Sequence, residues 1–206
     1  MMRYMHFVKR YSMQKITIKI QPSLLLVLSV AVILIPLPWL LSWLIAAIIH
    51  EIFHFVALRL CGFTVTQICL NASGAAIESN MEPGIKMAIC AVAGPLSGFC
   101  LLCMIHVIPR IAICGLFLSL CNLLPIFPLD GCRILVGVLS CIWEERVVRI
   151  ILHYIECVTF ALIIILVIYA IFRLNLGMIP LIALIVLFVK KKYLANNSLS
   201  RYNMNK

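Results

Sequence analysis

The chain has 206 residues, a net charge of +10, 65% hydrophobic and 12% charged residues, and a mean hydropathy of +1.16. Water-soluble domains carry about 45–50% apolar and 25% charged residues, so these values exclude a soluble globular protein and point to a single membrane-embedded domain over 1–206. The positive charge is not a nucleic-acid footprint. It gathers in two blocks, Arg3 to Lys19 before the first apolar run and Lys190, Lys191 and Lys192 after the last, which is a topology signal.

In chain order, the first apolar run, 20–36, ends in Pro36-Leu37-Pro38 without a small-residue cleavage site, so it reads as a retained span rather than a signal peptide. A second run covers 39–60. In the segment from Cys61 to Lys86 that follows, Phe63-Thr64-Val65-Thr66-Gln67-Ile68 alternates in the strand manner. Ser73-Gly74 can then turn the chain before Ala75-Ala76-Ile77, so a short β-hairpin is expected. Further runs lie at 87–108, 111–129, 151–172 and 176–190, the last being short for a bilayer. The expected fold class is therefore all-α and polytopic, with about six transmembrane helices and a short β-hairpin between the second and third. Placing the basic blocks inside puts both termini in the cytosol. No internal repeat or appended regulatory domain is expected. The C-x-x-C pair Cys100 and Cys103 falls in mid-span, where thiols act as small apolar groups, and nothing suggests a disulfide framework.

The chemistry concentrates in His50-Glu51-Ile52-Phe53-His54, inside apolar sequence. On a helix the two histidines of H-E-x-x-H share one face and can hold one metal ion, with the glutamate beside the open position as general base. Such a polar cluster at membrane depth is functional by default. Catalytic zinc takes three protein ligands, and Asp130 is the best remaining donor. It ends the stretch Asn122-Leu123-Leu124-Pro125-Ile126-Phe127-Pro128-Leu129-Asp130-Gly131, where Pro125 and Pro128 must break the helix. Broken backbone at that depth is tolerated only where it is buried or lines a wet cavity. A rise of about 1.5 Å per residue from Trp39 puts His50 and His54 roughly 17–23 Å in from the outer face, and Asn122 reaches a similar depth from Ile111. The site is thus expected in the cytosolic half of the bilayer. Glu156 is a second membrane-depth acid, expected either to line a wet gate with His153 or to pair with Arg149 or His153. His106 reads as interfacial.

The H-E-x-x-H of the second span, Ala93-Gly94-Pro95-Leu96 in the third and N-x-x-P-x-x-P-L-D-G in the fourth resemble the site-2 protease family of intramembrane zinc metalloproteases. The layout is most similar to the bacterial branch that processes membrane-tethered sporulation sigma factors. The motif resemblance covers about Leu24 to Arg133. It implies a bacterial cytoplasmic membrane protein with one Zn2+ per chain, held by His50, His54 and Asp130, with Glu51 as catalytic base and Asn122 as an accessory polar group. Phe53 stands where many relatives have Gly, Cys132 follows Asp130-Gly131 where Gly is common, and Gly98 occupies a place where relatives often carry Asn.

The function expected is hydrolysis of peptide bonds in membrane-spanning or membrane-tethered proteins, such as a transcription or sigma factor precursor. The lipid bilayer is its surroundings, membrane regulatory partners are open to it, and nucleic acid is not a partner. The alternatives are a metal-binding membrane transporter or a non-catalytic membrane regulator. A transporter needs polar groups through both leaflets, and the outer half of these spans is almost purely aliphatic. A silent regulator has no use for Glu51, which is not a ligand.

Overall fold

Prolines set where three of the helices begin. The computed structural model describes residues 17–71, 74–79 and 81–174. Helix α1 (Pro22–Leu34) and helix α4 (Pro109–Asn122) start on a proline, and α2 (Leu37–Leu60) has Pro38 in its first turn. The missing N–H costs nothing there, because first-turn donors have no partner within the helix. The remaining helices are α3 (Ile85–Leu102), α5 (Asp130–Leu139) and α6 (Glu145–Leu174). Helix α2 closes with Gly62 at φ 84°, where the Phe63 N–H returns to the Leu58 carbonyl at 3.0 Å. A positive φ suits glycine, and the returning bond satisfies a carbonyl the helix end would leave bare.

Strands β1 (Thr17–Ile20), β2 (Val65–Asn71) and β3 (Gly74–Ser79) form a three-stranded sheet in that order. β1 runs parallel to β2, with Ile18 opposite Ile68, and β2 runs antiparallel to β3, with Ile68 opposite Ile77. The sequence reading put strand alternation at 63–68 and had no strand before the first helix. The sheet instead begins at Val65 and recruits Thr17–Ile20. A four-residue strand flanking an apolar helix has too short a pattern to stand out from that helix.

Helix α3 is central, packing against α2, α4 and α5. One apolar cluster, of Ala46, Leu101 and Cys114, joins α2, α3 and α4. A second, of Leu58, Val65 and Cys90, lies toward the far end of α2 and includes the start of β2. His50 and His54 fall between these two clusters along α2.

Helices α2, α3 and the Glu145–Tyr169 part of α6 are long and apolar enough to cross a membrane, and α4 is a shorter apolar helix. Of the spans expected from sequence, 20–36 appears as a helix of 13 residues, and the helix within 111–129 stops at Asn122. The run 176–190 lies outside the described residues. Along α6, only Val148 and Glu156 are buried among the residues whose side chains are described, while Tyr154, Val158, Leu162 and Ile165 are exposed. A contiguous apolar exterior of this kind belongs in hydrocarbon, and the chain is a membrane protein.

Gly98 sits where α3 crosses α4. A Cβ there would strike the Ser119 hydroxyl and the Gly115 carbonyl oxygen. A larger side chain at this place has no room. We expect Gly98→Ala to lower stability by about 1–3 kcal/mol, the ordinary cost of overpacking. Thermal unfolding of the detergent-solubilised variant checks this, and a wild-type midpoint would contradict the close crossing.

Candidate metal centre

His50 and His54, one helical turn apart on α2, point their rings at the same space. Their ring centroids are 4.8 Å apart and nearly perpendicular. Helix α3 comes close enough to wall this space because it carries Gly94. A Cβ at that position would collide with the His54 ring and lie 2.6 Å from His50 Nε2. The third group arrives through a break in the chain. α4 stops at Asn122, and in the link 123–129 Pro125 and Pro128 have no N–H to continue a helix. Short bonds from Ile126 N to Leu124 O and from Leu129 N to Ile126 O, both 2.8 Å, coil the link, and the Ile126 side chain is fully buried. Asp130 then opens α5 as its first residue.

His50 Nε2 lies 3.1 Å and His54 Nε2 3.0 Å from Asp130 Oδ2, and the two nitrogens are 3.2 Å apart. All three residues are buried. These are the only three His, Cys, Asp or Glu side chains among the described residues so grouped. His54 Nδ1–H donates to the Cys90 carbonyl at 2.8 Å. That bond assigns the single proton of a neutral His54 to Nδ1 and leaves Nε2 as a bare lone pair. A bare lone pair 3.0 Å from a carboxylate oxygen is repulsive, and a positive charge between them would relieve it. A second proton on His54 or a metal ion would supply it. Two imidazoles and a carboxylate, with one ring oriented by a backbone carbonyl, are a donor set that zinc takes, so the residues fit that ion.

Asn122 Nδ2 is 3.5 Å from His50 Nε2, at the rim of the cluster rather than within it. Glu51, next in sequence to His50, is half-buried and within electrostatic reach of His54, His50, Asp130 and Arg133. The structure thus brings the expected ligands together, with Glu51 and Asn122 beside them. The Arg133 guanidinium lies 4.0 Å from the second Asp130 oxygen, half-exposed, and was not foreseen. Nor was the Cys90 carbonyl, a backbone group with no sequence signal.

Glu156 departs from expectation. Its carboxylate accepts the Phe127 backbone N–H at 2.7 Å, whereas Arg149 pairs with Glu145 at 2.6 Å and His153 lies against Cys157. On a helix, spacing alone offered Arg149 and His153. The competing partner came from a chain break that folds back against α6.

The sequence profile of Peptidase family M50 matches residues 102–166, a stretch that includes Asn122 and Asp130 but not the histidine pair. No curated protein sequence matches the chain. The structure is similar to that of the Site-2 Protease from Methanocaldococcus jannaschii, with a TM-score of 0.61 at 20% identity, over 89% of this chain and 92% of that one. At that identity the likeness is one of fold.

Two substitutions test the geometry. Gly94→Ala pushes a methyl group toward both histidines and is expected to weaken zinc binding at least about 10-fold, in the range for disturbed ligand support. Asp130→Asn should do the same by removing the anionic donor. Competition with a chromophoric chelator reads both affinities, and wild-type values for either variant would contradict the three-residue site.

Proposed function

We propose that this chain is an intramembrane zinc metalloprotease that hydrolyses peptide bonds of membrane-spanning or membrane-tethered proteins. The observation that carries the reading is the buried meeting of His50 Nε2, His54 Nε2 and Asp130 Oδ2 within 3.0–3.2 Å, with a non-ligand carboxylate at Glu51 beside it. The M50 match and the site-2 protease fold favour the same chemistry. His50, His54 and Asp130 would hold the ion. Zinc bound there supplies Lewis-acid polarisation of the scissile carbonyl and acidifies a water.

The protein groups do the rest. Glu51 takes the proton of the attacking water and returns it to the leaving amine nitrogen as the C–N bond breaks. Asn122 offers its amide N–H to the substrate backbone at the rim of the cluster. His54, held by Cys90, keeps its ring aimed at the centre throughout. A substrate arriving as a helix has its carbonyls already bonded and must unwind, and the sheet β1–β2–β3 offers a strand edge to receive the extended segment. The site opens to the cytosolic side of a bacterial cytoplasmic membrane, with both termini there, and a tethered transcription or sigma factor precursor is the substrate class. Retention of Glu51, which serves neither transport nor simple binding, favours hydrolysis over the transporter and regulator readings.

Glu51→Gln should slow cleavage about 10²–10⁴-fold while the purified variant keeps one zinc per chain. Metal analysis beside a cleavage assay decides it. Unimpaired cleavage, or zinc lost along with activity, would sink Glu51 as the base.

Cleavage should also track how readily the substrate helix opens. Replacing Gly or Asn near the scissile bond by Ala or Leu restores up to about 1 kcal/mol of helix propensity per change and is expected to slow cleavage about 5-fold. A substrate series with the scissile pair held constant tests this, and rates indifferent to the series would rule out unwinding as a limiting step.

A further inference from the structure

Glu156 is the acid in the middle of α6. Between Arg149 and Arg173 it is the sole charged residue at neutral His153, and it is buried. Its Oε1 accepts the Phe127 N–H at 2.7 Å from the link that delivers Asp130. The other donors of that link are accounted for locally. Leu123 bonds Ser119, Leu124 bonds Cys121, Ile126 bonds Leu124 and Leu129 bonds Ile126, while Pro125 and Pro128 have none. Phe127 is thus the one position whose N–H is tied to a different helix, three residues before the metal ligand. On the other side of Asp130 the link is pinned by packing, since a Cβ at Gly131 would strike the Leu123 and Leu124 carbonyls.

We propose that Glu156 is a positioning residue for Asp130, fixing the link 123–129 through the Phe127 N–H and so setting the affinity of the site for its metal. The inference rests on the metalloprotease reading of His50, His54 and Asp130. Glu156 lies on α6 outside the His50, His54 and Asp130 group, and its role is to hold the link by accepting the Phe127 N–H. It follows that α6 and the third metal ligand move together: a displacement of α6 carries Phe127, and with it the start of α5.

The test uses the full chain in detergent. Zinc affinity is measured by chelator competition and ligand geometry by the visible absorption of the cobalt-substituted protein. Three variants at one position separate the possibilities. Glu156→Leu removes the acceptor, Glu156→Asp keeps the charge but withdraws it by one methylene, and Glu156→Gln keeps a carbonyl acceptor at full length without the charge. Leu and Asp are expected to weaken zinc binding about 10–100-fold and to alter the cobalt bands, while Gln stays within about 3-fold of wild type with unchanged bands. Glu145→Gln, at the exposed end of the same helix, should change neither.

Wild-type zinc affinity in Glu156→Leu or Glu156→Asp overturns the proposal, as does a loss in Glu156→Gln equal to that in Glu156→Leu, which would make charge rather than the bond decisive. If Glu156→Leu does not fold, the contrast between Asp and Gln gives the same decision. Failure of the underlying reading is visible separately, in the wild type. Without stoichiometric zinc there, both readings fall. With zinc but no cleavage of any tethered substrate, the protease reading alone falls and the variant affinities still judge Glu156.

Discussion

Two imidazole nitrogens and a carboxylate oxygen crowded into apolar surroundings are the constraint from which the rest of this structure follows. His54 Nε2, His50 Nε2 and Asp130 Oδ2 lie within 3.0–3.2 Å of one another, and the Cys90 carbonyl holds the proton of a neutral His54 on the far side of its ring. A buried polar group without a partner costs about 1–3 kcal/mol, and ionised ones cost more, so a shared proton or a bound metal ion would stabilise such a cluster. The surrounding backbone serves that meeting. Gly94 lets α3 close over the rings, Asn122 ends α4 early, and the proline-broken link turns the chain so that Asp130 faces α2.

The same reasoning separates stabilising groups from placing groups. A charged side chain at the centre of a span costs about 2.5–3.5 kcal/mol, and a hydrogen bond to a charged group contributes about 1.5–3 kcal/mol. For Glu156 the bond to Phe127 N–H offsets part of the cost of burial. That bond also ties α6 to the irregular link 123–129. Arg149 and Glu145, exposed at the start of α6, make the opposite case. Their 2.6 Å pair is solvent-screened and contributes little to either stability or the site.

Much of this was legible in residue order. The apolar periodicity marked where α2, α3 and α6 run, because a helix long enough to cross hydrocarbon needs an uninterrupted apolar stretch. The i, i+4 spacing of His50 and His54 required a shared face, and Pro125 with Pro128 required a break before Asp130. Other features had no trace. The β1 strand has only the residues Thr17–Ile20 and borrows its hydrogen bonds from β2, fifty positions away by register of Thr17 with Gln67. Glu156 stood out as an acid in an apolar run, yet nothing near it in sequence signalled its bond to the Phe127 N–H.

What residue order determined, then, was the long apolar helices and a set of candidate donors: local backbone preference, hydropathy and ligand chemistry are properties of neighbouring residues. What only the tertiary structure decided was which groups from separate elements share a centre and what holds them there. The Cys90 carbonyl on His54, the Gly94 approach and the Phe127–Glu156 bond join residues 29 to 40 positions apart. All three use backbone atoms or the absence of a side chain. Every residue has the same backbone, so residue identity carries no sign of such contacts, and only packing selects which carbonyl, which N–H and which bare Cα meets the site.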